Sequence, residues 1–258
     1  MSDYLSHHGI KGQKWGVRNG PPYPIENKLL RKGTRLNSVS GIRKTKDYIN
    51  KGRALYTYNP NDSWDSDVYK GAFSKYLKIY RKVPVVYDHQ FTVVKDLKMP
   101  TKQERFNEFT NIIKNRPEIM SELKSMGKRL AQYNIDGYEK AAKYEAFSRG
   151  AIDNFKDVDD YKNTAYAIFN HMMESYVSFK STRDYMQTMA SKYDAMVDDN
   201  NQGVYNEAHD PIIIFRAKEC IEPYKKAKVG KVVTDDEINN RSDRVRTEMK
   251  KKGKNLLL

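Results

Sequence analysis

Hydrophobic and polar residues follow two different rhythms along this chain, and the change of rhythm divides it. Between residues 29 and 100 the apolar positions come in short extended runs. Leu29 to Ser40 reads as a turn entering a strand. Ala54 to Tyr58 reads as a second strand, stopped by Asn59-Pro60-Asn61-Asp62, and Val83 to Leu97 is extended β-branched and aromatic material. Val68 to Tyr80 interrupts the series as a predicted helix with Phe73, Tyr76, Leu77 and Tyr80 on one face. From about 101 to 192 the period becomes helical. Thr101 and Glu104 have capping-box spacing, Phe106, Phe109, Ile112 and Ile113 make one apolar face, and Pro117 opens the next helix. Ala165, Tyr166, Ile168, Phe169, Met172, Met173, Tyr176 and Val177 keep helical spacing and predict core packing rather than a cofactor pocket.

Strands return at Tyr193–Val197 and Pro211–Phe215. The second lacks alternation, as a strand buried on both faces does. Beyond Thr234 the polar stretch predicts a helix fraying into a tail. The expected fold class is α+β, a small mixed β-sheet frame interrupted by a helical segment, with flexible basic termini. The expected division is a basic peptide and Pro-rich linker (1–28), one domain (29–233) and a basic C-terminal helix or tail (234–258).

Composition adds limits. With 258 residues the chain can bury a sizeable core, and although 31% of it is charged, 19 Tyr and 9 Phe supply packing area. Cys220 is the one cysteine, so an intramolecular disulfide is excluded and an inert structural thiol is expected. No secretory signal and no apolar run of membrane-spanning length is seen, which predicts a soluble protein with no membrane partner. The five histidines show no ligand spacing, so no metal is expected, and no phosphate-binding glycine loop or Ser-His-Asp arrangement can be assembled.

The net charge of +14 lies mostly at the ends. Residues 1–35 hold seven cations against two acids and 225–258 hold eleven against five, which leaves +3 for everything between. Such ends suggest arms that touch acidic partners or, without sequence preference, nucleic acid, or else solvated tails tuned for solubility.

Residues 7–18 read HHGIKGQKWGVR, a string without helical or strand period, followed by the extended linker Asn19-Gly20-Pro21-Pro22-Tyr23-Pro24. It resembles a short peptide that recurs in proteins of tailed bacteriophages and prophages. The resemblance implies phage structural proteins as partners, a location in the virion or the bacterial host cytoplasm, and His7, His8, Lys11, Lys14, Trp15 and Arg18 as docking residues, with Trp15 the anchor.

A scattered polar set carries a second resemblance. Arg35 and Ser40 lie on an early strand, Leu55-Tyr56-Thr57-Tyr58 follows, and Asp62, Asp65 and Asp67 lead to Tyr69; late in the chain Glu207 precedes Ile212-Ile213-Ile214. This order resembles the ADP-ribosyltransferase-like fold. The resemblance implies a nicotinamide dinucleotide (NAD) bound by Arg35, Ser40 and Tyr69, and catalysis by Arg35, Tyr56 and Glu207. The late carboxylate would stabilise the positive charge that develops on the ribose as its N-glycosidic bond breaks. The residues alone read equally as strands joined by the polar turn Asp198–Gly203. Two functions follow: a noncatalytic phage accessory protein without cofactor, binding structural partners or polyanions through basic arms, or an ADP-ribosyltransferase-like effector using NAD.

Overall fold

Val86–Val93 (β5) is the axis on which the other strands assemble. In the computed structural model, which describes residues 25–253 apart from 27–28, 52–53, 117, 135–136, 175–179, 198–210 and 252, β5 runs antiparallel to Arg35–Ser40 (β3). The register runs from Arg35 opposite Thr92 to Ser40 opposite Tyr87. The other edge of β5 is shared by Ile221–Pro223 (β9) and Lys231–Val233 (β10). Two backbone bonds between Asn37 and Tyr58 (2.9 and 2.8 Å) hand β3 on to Leu55–Thr57 (β4). Then come Ile212–Ile214 (β8) and Ala195–Val197 (β7). Beside β7, the Asp194 N–H donates to the Lys98 carbonyl (2.9 Å), reaching Leu97–Lys98 (β6), Leu29–Leu30 (β2) and Ile25–Glu26 (β1).

The protein is α+β. The frame expected as mixed is antiparallel in every described pairing. Parallel neighbours need a crossover that returns the chain to the same end of the sheet. Here the helices after β6 deliver the chain to β7 running against β8 instead.

Side chains alternate across this sheet and build separate cores on its two faces. Leu30, Leu97, Leu36, Phe91, Val93, Leu55, Ile212, Ile214, Ala195 and Val197 share one core. They come from strands of all three ladders, and Tyr48 and Ile49 of Thr45–Ile49 (α1) and Cys220 of Ala217–Cys220 (α9) close it. On the opposite face, Met196 and Ile213 pack against the helices Lys102–Asn115 (α4), Glu118–Gln132 (α5), Tyr138–Arg149 (α6), Val158–Glu174 (α7) and Lys180–Lys192 (α8). β8 is therefore buried on both faces, as its unbroken apolar run predicts. The capping box at Thr101 is formed: its Oγ1 accepts from the Glu104 N–H (3.1 Å) while Glu104 Oε2 accepts from the Thr101 N–H (2.7 Å). Pro117, Tyr176 and Val177 lie outside the described residues.

The rest of that face, with Val39 and Val86, is covered by Ser63–Asp67 (α2), a π-helical stretch Val68–Phe73, Ser74–Tyr80 (α3) and Asp235–Lys251 (α10). Two expectations change here. The helix expected from Val68 starts at Ser63, where Asp62 Oδ1 accepts the Asp65 N–H (3.0 Å), five residues ahead of the expected start. Tyr69, Ala72 and Tyr76 point inward, while Tyr80, the last residue of α3, is 57% exposed. The second change concerns the expected C-terminal tail. Ile238, Ser242, Val245 and Met249 recur at helical spacing and are buried, so the helix is docked over Asp235–Lys251, while residues 252 and 254–258 of the expected tail lie outside the described residues.

Candidate functional site

Two buried polar clusters flank β5, one on each face. On the face covered by α10, the Asp88 carboxylate accepts from Asn37 Nδ2 (3.0 Å to each oxygen) and from the Tyr58 hydroxyl (2.9 Å), and pairs with Lys70 Nζ at 3.0 Å. The π stretch supplies Lys70. Beyond it the charges alternate: Lys70 approaches Glu237 (3.9 Å), which accepts from Arg241 (2.9 Å), and Arg241 with Arg244 clamps Asp67 at 2.7–2.8 Å. Burial, then the Asp88 charge, raises the Tyr58 phenol well above its ordinary range. Burial pushes the Asp67 carboxyl up, but hydrogen bonds from Arg244 and Arg241 outweigh that and leave it below the usual carboxylate range. Asp88 is 3% exposed and its lone pairs are filled from inside. Such a network ties β5, α2 and α10 together and leaves the carboxylate no open side for a substrate.

His89 occupies the other face and is fully buried. Its Nε2 lies 3.1 Å from Ser40 Oγ and its Nδ1 3.2 Å from Thr45 Oγ1, so one ring nitrogen donates and the other accepts. Tyr48 packs beside the ring with centroids 4.8 Å apart, and its hydroxyl bonds Ser38 Oγ (2.9 Å). Burial pushes His89 down to about 4, partly opposed by a hydrogen bond to the Ile42 backbone. The imidazole is neutral at pH 7 and sealed.

The NAD-binding and catalytic candidates are distributed over the sheet rather than gathered. Arg35 and Ser40 differ by an odd number of residues on one strand and face opposite sides. Ser40 faces His89, whereas Tyr69 stacks on Tyr58 (4.9 Å) across the sheet from it. Arg35 is exposed with its guanidinium 4.2 Å over the Tyr224 ring. Tyr56 shares the Arg35 face, but the Asn37–Tyr58 bridge puts Tyr56 level with Val39, about 13 Å along the strand from Arg35. Glu207 and the Asp198–Gly203 turn lie outside the described residues, as do His7, His8, Lys11, Lys14, Trp15 and Arg18. The acidic group is structural: Asp62 caps α2, Asp65 Oδ2 accepts the Asn59 N–H (3.4 Å), and Asp67 holds two arginines.

Cys220 is buried and its thiol is pushed up to about 11, chiefly by burial, which suits packing and not nucleophilic attack. Among the described residues no group of three or more His, Cys, Asp or Glu is placed to hold a metal, and no helix is long and apolar enough to cross a membrane. A shallow groove of about 310 Å³ between α4 and α8 contains Glu108, which already pairs with Lys192 at 2.7 Å.

Cations, by contrast, collect on the surface. Residues 43–45 pair with 228–230 through Thr45 N–H to Lys228 O and Gly230 N–H to Arg43 O (both 3.0 Å). This sets exposed Arg43, Lys44 and Lys46 beside the segment that carries exposed Lys225, Lys226 and Lys228, and none of the six pairs with a carboxylate among the described residues. Gly230 lets this segment lie close against β5, since a Cβ there would lie 2.8 Å from Tyr87 Cβ and 2.9 Å from His89 Cε1. The charge count of the 225–258 end included Lys225, Lys226 and Lys228, which the structure places between β9 and β10. The run Tyr224-Lys225-Lys226-Ala227-Lys228 was the legible signal.

Scans against protein-family models, curated proteins and solved structures find no match to this chain.

Proposed function

We propose that this protein is a noncatalytic accessory protein that binds an anionic partner through basic surfaces, consistent with the virion-associated role implied by its N-terminal peptide. The observation that carries the reading is the set of exposed cations on 43–46 and 225–228, none of which pairs with a carboxylate among the described residues. It is supported by the internal satisfaction of the Asp88 and His89 clusters, which leaves neither group open to a substrate. Retention of the full chain on an immobilised sulfated polysaccharide, eluted with salt, tests it. Elution well above 0.15 M salt, near ~0.5 M, is expected, because several unpaired cations act together against screening. Replacing Arg43, Lys46, Lys225 and Lys228 by Gln should bring elution down towards the void. Equal elution of both proteins would sink the reading.

An NAD-dependent ADP-ribosyltransferase is the second reading. It draws on one observation: Tyr56 lies on β4, directly beside β8, the strand that Glu207 precedes in the chain. Labelled NAD incubated with host lysate tests it. Transfer by the wild type that is lost in both Arg35→Ala and Glu207→Ala would favour the enzyme, and no transfer by the wild type would remove it.

A further inference from the structure

The turn at the centre of the cationic face is built from residues its backbone disfavours. The Ala227 N–H closes on the Tyr224 carbonyl at 2.9 Å, and the two residues between, Lys225 (φ 47°) and Lys226 (φ 60°), are both in the left-handed region. Two consecutive positive φ values define the primed turn whose preferred residues are Asn-Gly, because a Cβ crowds the following carbonyl there. A lysine pair accepts strain that Asn-Gly would avoid. Strain of this kind is kept where the side chains have a task.

The surroundings indicate which task. Both lysines are exposed, and Lys225 Nζ lies 5.2 Å from the Tyr224 ring centroid. Arg35 covers the ring at 4.2 Å, which leaves a half-buried aromatic edge inside a cationic frame. Arg43, Lys44 and Lys46 extend the frame across the paired segment 43–45/228–230. The nearest acids in sequence on these segments, Asp47 and Glu222, leave the balance strongly positive.

We propose that the strained Lys225–Lys226 turn, with Tyr224 and the Arg43–Lys46 segment, is a phosphate-backbone binding site for nucleic acid. This rests on the polyanion reading above and names its ligand. Six exposed cations carried on two adjoining segments suit a repeating phosphodiester better than a single small anion. The expected binding is sequence-independent, since contacts to phosphates carry no sequence information.

The test uses the full chain and fluorescence anisotropy with a labelled 20-nucleotide single strand, the corresponding duplex and an RNA strand, between 50 and 200 mM salt. Six phosphate contacts predict a log–log salt slope of about −4 for a single strand and about −5 for a duplex. The double variant Lys225→Asn, Lys226→Gly should bind about tenfold more weakly, with a slope shallower by about 1.5, yet melt about 2–4 °C higher because the turn strain is relieved. Opposite movement of affinity and Tm separates a binding role from a merely structural one. The pair Arg43→Gln, Lys46→Gln, which alters exposed side chains only, should weaken binding similarly with Tm unchanged. Unchanged affinity in both variants overturns the proposal. So does tighter binding to phosphatidylserine–phosphatidylcholine vesicles than to any of the three nucleic acids. Retention on the sulfated column without nucleic-acid binding overturns this ligand but leaves the polyanion reading standing, and loss of both overturns both.

Discussion

Mild acid is predicted to destabilise this protein through His89. The ring is fully buried between β3, β5 and α1, and burial holds its pKa down to about 4 against 6.5 in an exposed histidine. Below pH 6.5 the unfolded chain therefore takes up a proton that the folded chain refuses until about pH 4. The unfolded state binds more protons throughout that window, so stability falls as the pH falls and is untouched above it. At about 1.4 kcal/mol per pH unit, the loss reaches about 2 kcal/mol by pH 5 and about 3 kcal/mol by pH 4. Against a typical domain stability of about 5–15 kcal/mol, that is a large fraction.

Urea unfolding followed by circular dichroism at pH 8 and pH 5 measures the loss. The control is His89→Gln, which cannot titrate. It is expected to be less stable at pH 8, since the contacts to Ser40 and Thr45 are imperfectly replaced, but to lack the additional ~2 kcal/mol decrease on going to pH 5. Asp67 and Asp194 are held below the usual carboxylate range, by hydrogen bonds from their arginines that outweigh burial. Their stabilisation is present above the unfolded carboxylate pKa and is lost as pH falls below it, in wild type and variant alike. Parallel pH dependences for the two proteins would refute the assignment to His89.

Three further outcomes follow from the packing. Asp88→Ala leaves Lys70, the Tyr58 hydroxyl and Asn37 facing an empty site, so it should cost about 3–5 kcal/mol, read as a lower urea midpoint at unchanged slope; a loss under about 1 kcal/mol would mean water serves those groups equally well. At Gly71 a Cβ would stand 2.5 Å from the Ser242 backbone nitrogen and 2.7 Å from the Arg241 carbonyl carbon, so α10 must move. Gly71→Ala should then cost about 1–3 kcal/mol and speed proteolysis within 235–251, and wild-type protection there would contradict the close crossing. Under the virion-associated role proposed above, deleting residues 1–20 should lower the number of copies per purified particle, while unchanged incorporation would remove the docking role proposed for the Trp15 peptide.

Much of the fold was legible because local rules agreed with the final packing. The Thr101–Glu104 box, the apolar stripe of α7 and the unbroken Ile212–Ile214 run each appear where pattern alone puts them. The misreadings have physical causes. Helical period puts Tyr80 on the face of Tyr76, but Tyr80 is the last residue of α3 and is 57% exposed, while Tyr69 is core because it stacks on Tyr58, a partner eleven residues earlier that helical period does not reveal. α10 is dominated by charged and polar residues, and four buried positions in seventeen suffice to dock it only because Gly71 lets the helices approach. The antiparallel frame was equally hidden, since strand direction depends on where the helical segment returns the chain.

The site was less legible than the fold, and charge counting shows why. Summing cations along the chain places them at the two ends and leaves a nearly neutral body. The bridge between Lys44 and Val229 joins an early segment to a late one, and the surface charge it concentrates exists only in the folded protein. Long-range pairing of this kind has no local signature. The turn itself does have one, but it runs opposite to the usual rule: Lys225-Lys226 stands where Asn-Gly would announce a hairpin, so a search for turn residues passes over it. Local preference and global structure disagree at that point, whereas they agree along α7 and β8. A position that gives up backbone comfort to keep two positive charges is where a binding function is best sought, and the Asn-Gly variant measures both what the strain costs and what the charges do.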